Sequence, residues 1–246
     1  LLQLKSLPKR LAVVGAGVIG MEFAAIFHRM GVEVEVYEFL KECLPMIDKD
    51  LAKRLRKKME KDGADAIIAE GTEAGGHIGE LTTMVLVPQV VDAVSIPVVA
   101  AGGIADSRGA VAAFALGADG IQVGTRFICS TECIAHDNYK QAVIKAKDRD
   151  AVVTGRSTGA PVRALKNKLT REYDKLEKQG ASFEEIEALG VGGLRRAFEE
   201  GDTQTGSLMA GQSAAMVHEI QPCADIIKSY FDGTEAVIET ITSKLK

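Results

Sequence analysis

Tryptophan is absent, and aromatic residues make up only 5% of the 246-residue chain. Cysteine is scarce as well. Cys43, Cys129, Cys133 and Cys223 are too few, in a chain this long, to form a disulfide framework. Cys129 and Cys133 stand four residues apart with no partnering His or second pair, so no metal site is expected. Charge of one sign is also lacking, with 30 Lys and Arg against 34 Asp and Glu. A nucleic-acid binder would carry a basic excess, which sets that class aside. No apolar run approaches the ~18 residues of a membrane span, and the N-terminal residues show no charged-then-apolar secretion pattern. The expectation is a cytoplasmic, soluble protein with neither nucleic acid nor membrane as partner.

What is abundant points the other way. The chain holds 25 glycines and is 46% hydrophobic, rich in Ala, Val and Ile, which suits an α/β protein with tight strand-to-helix turns. Its length allows one large domain or two small ones. Short apolar runs at 11–14, 66–69, 96–100 and 120–123 read as buried parallel strands. Residues 32–38 alternate strictly, the period of a strand with one wet face. Helices are expected at 21–30, 49–62, 84–94 and 107–116. Beyond Phe127 only helices are read, at 138–147, 162–178, 182–189, 194–200, 207–217 and 224–243. The predicted architecture is a five-stranded parallel sheet in a flavodoxin-like or Rossmann-like three-layer fold. Order 2-1-3-4-5 is favoured over a continuous 1-2-3-4-5. The sheet domain spans 1–127, divided into 1–62 and 63–127, and 128–246 forms a helical extension packed on it.

Gly15-Ala16-Gly17-Val18-Ile19-Gly20 follows a strand and opens a helix, and Glu38 stands at the next strand end. Gly15 permits the turn, Gly17 lets the backbone approach a pyrophosphate, and Gly20 allows close helix–strand packing. Glu38 can accept from ribose hydroxyls. With Leu7-Pro8-Lys9-Arg10, Gly20-Met21-Glu22 and Leu44-Pro45-Met46-Ile47-Asp48, residues 4–63 resemble the NAD-binding domain of dihydrolipoamide dehydrogenase. The resemblance implies weak NAD binding, with Glu22 beside the nicotinamide and Glu38 on the ribose. That family's FAD domain, redox cysteine pair and dimerisation domain have no counterpart here.

A second set of motifs follows: Gly63-Ala64-Asp65-Ala66, Glu70-Gly71-Thr72-Glu73-Ala74-Gly75-Gly76-His77, Ala100-Ala101-Gly102-Gly103-Ile104, Gln122-Val123-Gly124-Thr125-Arg126-Phe127 and Met209-Ala210-Gly211-Gln212. Gly102-Gly103 and Gly124-Thr125 each stand just past a strand. Two adjacent βα loops of this kind make a phosphate cradle, in which bare N–H groups approach the phosphoryl oxygens. Thr125 adds a hydroxyl donor. From Gly63 onward the chain resembles the FMN-dependent enoyl-[acyl-carrier-protein] reductase II and nitronate monooxygenase group. The part covered corresponds to the last three strands of their (β/α) barrel and its helical extension. The resemblance implies that the cradle holds the phosphate of FMN, or a phosphate or sulfate ion in its place. It also implies that Met209 and Gln212 line the flavin and that His77 acts as acid/base or positions substrate.

The two resemblances meet within 52–63, where Lys58-Met59-Glu60-Lys61-Asp62-Gly63 suits both. This juxtaposition predicts an engineered-type chimera that retains the cradle for a phosphate-bearing small molecule without the parental catalysis. One alternative is an active FMN-dependent oxidoreductase of the enoyl reductase or nitronate monooxygenase type. Another is an NAD(H)-binding module. A sheet edge left open by the missing strands offers a route to a homodimer.

Overall fold

The computed structural model describes residues 9–14, 30–37 and 64–245. Strands β1 (Arg10–Val14) and β2 (Glu33–Tyr37) pair in parallel, from Arg10 opposite Glu33 to Val14 opposite Tyr37. A second parallel sheet carries the site. In it β3 (Ile67–Glu70) is followed by the two-residue β4 (Gly76–His77), helix α1 (Thr83–Val91), β5 (Val98–Ala101), α2 (Ser107–Ala115) and β6 (Gly120–Gln122). The ladder order is β3-β5-β6, with β4 left out of it. Val98-Val99-Ala100-Ala101 is short and apolar, as a strand covered on both faces must be. Val98, Ala100 and Ala101 are buried.

Helix boundaries follow local chemistry. The Asp106 carboxylate accepts from Arg108 N (2.9 Å) and Gly109 N (3.4 Å), capping α2. That bond and the Arg108 guanidinium hold the Asp106 carboxyl below its usual range. Leu86, Val87 and Val90 of α1 and Ala110 and Ala113 of α2 pack with Ala69, Val98 and Ala100 of the sheet into one core. Beyond β6 come α3 (Thr125–Ile128) and α4 (Asp137–Ile144), and then two strands that sequence periodicity did not signal. These are β7 (Ala151–Thr154) and β8 (Val162–Leu165), which form an antiparallel sheet in the order β4-β8-β7.

The sequence places the start of a helix at Val162; the structure starts α5 (Lys168–Lys178) only at Lys168, where Asn167 and Thr170 form a capping box. Val162 to Leu165 are extended because they pair on both sides. The hairpin turns through Gly155 (φ 77°) and Gly159 (φ 76°), conformations that glycine adopts at no steric cost. The region 128–246 is therefore not purely helical. Next come α6 (Phe183–Gly190) and α7 (Gly193–Phe198). The helix expected at 207–217 is instead an extended segment bridging Ala164 to Met209, then a 3-10 turn, Gln212–Met216. The single helix expected at 224–243 is two, α8 (Cys223–Asp232) and α9 (Thr234–Lys244), divided at Gly233. Both pack on α2, and Ile226 and Tyr230 of α8 enter the core.

The five-strand order 2-1-3-4-5 is thus not what the described residues show. Its two halves exist, as β2-β1 and β3-β5-β6, but no ladder among the described residues joins them. The buried sheet has three parallel strands, with the antiparallel trio beside it. Among the described residues, no helix is long and apolar enough to cross a membrane.

Candidate active site

The ends of β5 and β6 build the centre of the site. Parallel pairing sets Ala101 opposite Gln122, so the turns that follow, Gly102-Gly103 and Gly124-Thr125, emerge side by side. Gly102 and Gly103 have φ of 94° and 74°, where a side chain would be strained. Gly124 is different: its φ is ordinary (−103°), and a Cβ there would meet nothing within 4 Å. Among the described residues, the N–H groups of Gly103, Gly124 and Thr125 take no protein acceptor. Three such donors on neighbouring turns, with open space at Gly124, fit a phosphoryl group. The two turns predicted to form a cradle are brought together.

Thr125 is buried, and its Oγ1 accepts from Gly211 N at 2.9 Å. The hydroxyl therefore first ties the segment 209–212 to the cradle, and only its proton remains for a ligand. From the other side Gln212 N donates to the Glu73 carbonyl at 2.9 Å. Met209 is clasped by Tyr139, whose phenol donates to the Met209 carbonyl at 2.6 Å, and burial pushes that phenol's pKa up. A Cβ on Gly76 would stand 3.6 Å from Met209 Sδ, and one on Gly75 would collide with the backbone of Ala210 and Gly211. The glycine run before His77 thus lets two backbones touch. His77 is exposed on β4 and paired to Val162 of β8. Met209 is half-buried and Gln212 exposed, on the segment that links the His77 turn to the cradle.

Three further residues shape the site without a sequence signal for their roles. Arg163, only 6% exposed, donates through Nη2 (2.9 Å) and Nε (3.2 Å) to the Thr72 carbonyl and through Nη1 (3.3 Å) to that of Ala151. Burial lowers its guanidinium pKa, and Glu73 opposes that shift. The Glu73 carboxylate accepts from Thr83 N at 3.0 Å, at the first turn of α1, and Thr83 Oγ1 stands 2.9 Å from both that carboxylate and the Gly102 carbonyl. Glu73 lies within the motif before His77, but its long-range partner is visible only in three dimensions. Among the described residues, no group of three or more His, Cys, Asp and Glu could hold a metal.

Gly15, Gly17, Gly20 and Glu38, expected to hold NAD, lie outside the described residues. The fit of that turn to a dinucleotide rests on sequence alone.

The family model for nitronate monooxygenase matches residues 47–233. A probable nitronate monooxygenase of Staphylococcus saprophyticus is 40% identical over 176 residues, covering 67% of this chain and 50% of the relative. One from Staphylococcus aureus is 39% identical over 190 residues, covering 73% of this chain and 53% of the relative. The chain thus spans about half the length of these curated relatives. Among solved structures, FabK from Thermotoga maritima superposes with a TM-score of 0.80 at 41% identity, over 95% of this chain and 70% of that one. A nitroalkane oxidase from Streptomyces ansochromogenes gives 0.66 at 28% identity, over 94% of this chain and 65% of that one.

These matches correct the expectation of a catalytically silent chimera. The matched region, 47–233, includes 52–63, where a junction was placed. Relatives about 40% identical over much of the chain favour an oxidoreductase instead. A spliced origin and a dihydrolipoamide dehydrogenase ancestry are not shown. On the extent of the family match, and on the cradle and His77 turn that lie inside it, this chain belongs to the nitronate monooxygenase family.

Proposed function

We propose that the protein is an FMN-dependent oxidoreductase that acts on alkyl nitronates. The observation that carries this reading is the side-by-side placement of the Gly102-Gly103 and Gly124-Thr125 turns, joined through 209–212 to the turn that bears His77. In this reading the cradle holds the FMN phosphate, with Met209 and Gln212 beside the ring system. FMN, when bound, supplies the two-electron redox chemistry. The chain's own part is to bind and orient. The backbone N–H groups donate hydrogen bonds to the phosphate oxygens, the Thr125 proton adds a donor, and β4 fixes the backbone that carries the imidazole. The His77 imidazole can accept a proton from, or donate one to, a substrate held beside it.

Oxygen consumption by FMN-loaded protein with an alkyl nitronate tests the proposal. The expected result is turnover well above the background of free FMN. Turnover equal to that background overturns it. Enoyl thioester reduction is the second reading, favoured by the 41% identity to FabK. It predicts NAD(P)H oxidation that depends on an enoyl thioester, measured on the same loaded protein.

A further inference from the structure

Glu73 has no chemical task in the proposed reaction, yet it bonds both to the 209–212 segment and to the first turn of α1. Its carbonyl accepts from Gln212 N at 2.9 Å. Its carboxylate accepts from Thr83 N, at 3.1 Å to Oε1 and 3.0 Å to Oε2, and lies 2.9 Å from Thr83 Oγ1. Thr83 Oγ1 in turn stands 2.9 Å from the Gly102 carbonyl. A Cβ on Gly71 would collide with Thr83 Oγ1, so a glycine there lets the pair close. A Cβ on Gly103 would come within 3.2 Å of the Glu73 Cβ, so the Glu73 side chain lies against the cradle turn.

The peptide plane explains what this contact does. The Gly102 carbonyl and the Gly103 N–H belong to one planar trans unit, so they point in opposite directions. With φ of 94° and 74°, two successive glycines have several backbone options and no side chain to hold them in one. Anchoring the Gly102 carbonyl on Thr83 Oγ1 turns the Gly103 N–H away from α1, and that N–H takes no protein acceptor. Thr83 is itself held through its backbone N–H, which donates to the Glu73 carboxylate and leaves the one hydroxyl proton for the Gly102 carbonyl; a negative group is favoured at a helix N-terminus.

We propose that Glu73 is a positioning residue for the cofactor phosphate: acting through Thr83, it fixes the Gly102–Gly103 peptide so that the Gly103 N–H faces the phosphoryl group. This rests on the FMN reading above. Loss of one well-aimed hydrogen bond to a charged group corresponds to an affinity change on the order of tenfold.

The test compares FMN with riboflavin, which carries the same ring system and no phosphate. The 246-residue protein is titrated with each and followed by flavin fluorescence quenching. Wild type is expected to bind FMN at least about tenfold tighter than riboflavin. Glu73→Ala and Thr83→Val are expected to bring that ratio down towards one while riboflavin affinity stays within about twofold of wild type. Thr83→Ser, which keeps the hydroxyl, restores the ratio. A general packing defect would weaken both ligands together, and a parallel loss in both variants overturns the proposal. So does an unchanged ratio in both. If Glu73→Ala does not fold, Thr83→Val decides. A wild type that fails to distinguish the two flavins refutes the phosphate cradle itself, and this proposal falls with it.

Discussion

The Thr125 hydroxyl oxygen accepts from the Gly211 backbone N–H at 2.9 Å, across 86 residues of sequence. That bond ties the start of α3, in the cradle, to the segment that carries Met209 and Gln212. Both ends are buried. Thr125→Val leaves the Gly211 N–H without an acceptor and should cost about 1–3 kcal/mol of stability, read by urea unfolding. Thr125→Ser keeps the acceptor and should cost much less. Equal losses would show that the methyl packing matters and the hydrogen bond does not.

The cradle glycines should respond differently. At Gly124 a Cβ meets nothing within 4 Å, so Gly124→Ala should fold with an unchanged Tm. Any loss of FMN affinity in that variant reports a collision with the ligand. Gly103→Val places a branched side chain at φ 74° beside Glu73 and should cost both stability and FMN binding. A Gly124→Ala protein that binds FMN as wild type does would move the phosphate away from that turn.

Arg163 is the anchor of the His77 turn on the strand side. Arg163→Met removes the donors from the Thr72 and Ala151 carbonyls and should destabilise the protein by about 1–3 kcal/mol. Arg163→Lys keeps the charge but not the forked geometry and should recover only part of that. Full recovery by Lys would mean that charge alone holds the turn.

His77 is exposed on a paired strand, so replacing it should leave the fold intact. With an alkyl nitronate, His77→Asn should lower kcat by roughly 10²–10⁴-fold, the usual contribution of a general acid or base. FMN affinity should stay near wild type. Wild-type kcat in this variant would remove His77 from the chemistry.

The thiols should separate by burial. Cys129 is fully buried, and desolvation pushes its pKa up to about 11. It should resist alkylation in the native protein at neutral pH, whereas the half-buried Cys133 and Cys223 should react. Unfolded, unreduced protein should show four modifiable thiols in all. The sign of the pH effect follows from the raised value. Cys129 stabilises the fold below its ordinary pKa of 9.0 and loses that contribution as pH rises towards about 11. Stability measured between those limits should fall less in Cys129→Ala than in wild type.

The parts legible from sequence are those whose signals are local. Val98 to Ala101 is a run of apolar residues closed by two glycines, and both strand and turn stand where that pattern put them. The same holds for β3, β6, α1 and α2, whose cores, caps and breakers all lie within a few residues of one another. Neighbouring turns at successive strand ends therefore pointed to a cradle before any pairing was known. The early strands were read correctly as strands. Their assembly into one five-stranded sheet was not, because strand order depends on pairing and leaves no periodic trace in the chain.

Tertiary structure decided the rest. Val162 to Leu165 is too short to show a period, and its four residues became a strand because β4 and β7 flank it. Met209 and Gln212 were singled out by resemblance, but what fixes their segment is bonding to Thr125, Tyr139 and Glu73. Arg163 reaches Thr72 across 91 positions. The local sequence determined which turns can bare their N–H groups, because backbone conformation is set by adjacent residues. Which turns meet, and which side chains hold them, was decided by hydrogen bonds between segments far apart in the chain, where no sequence spacing records the contact.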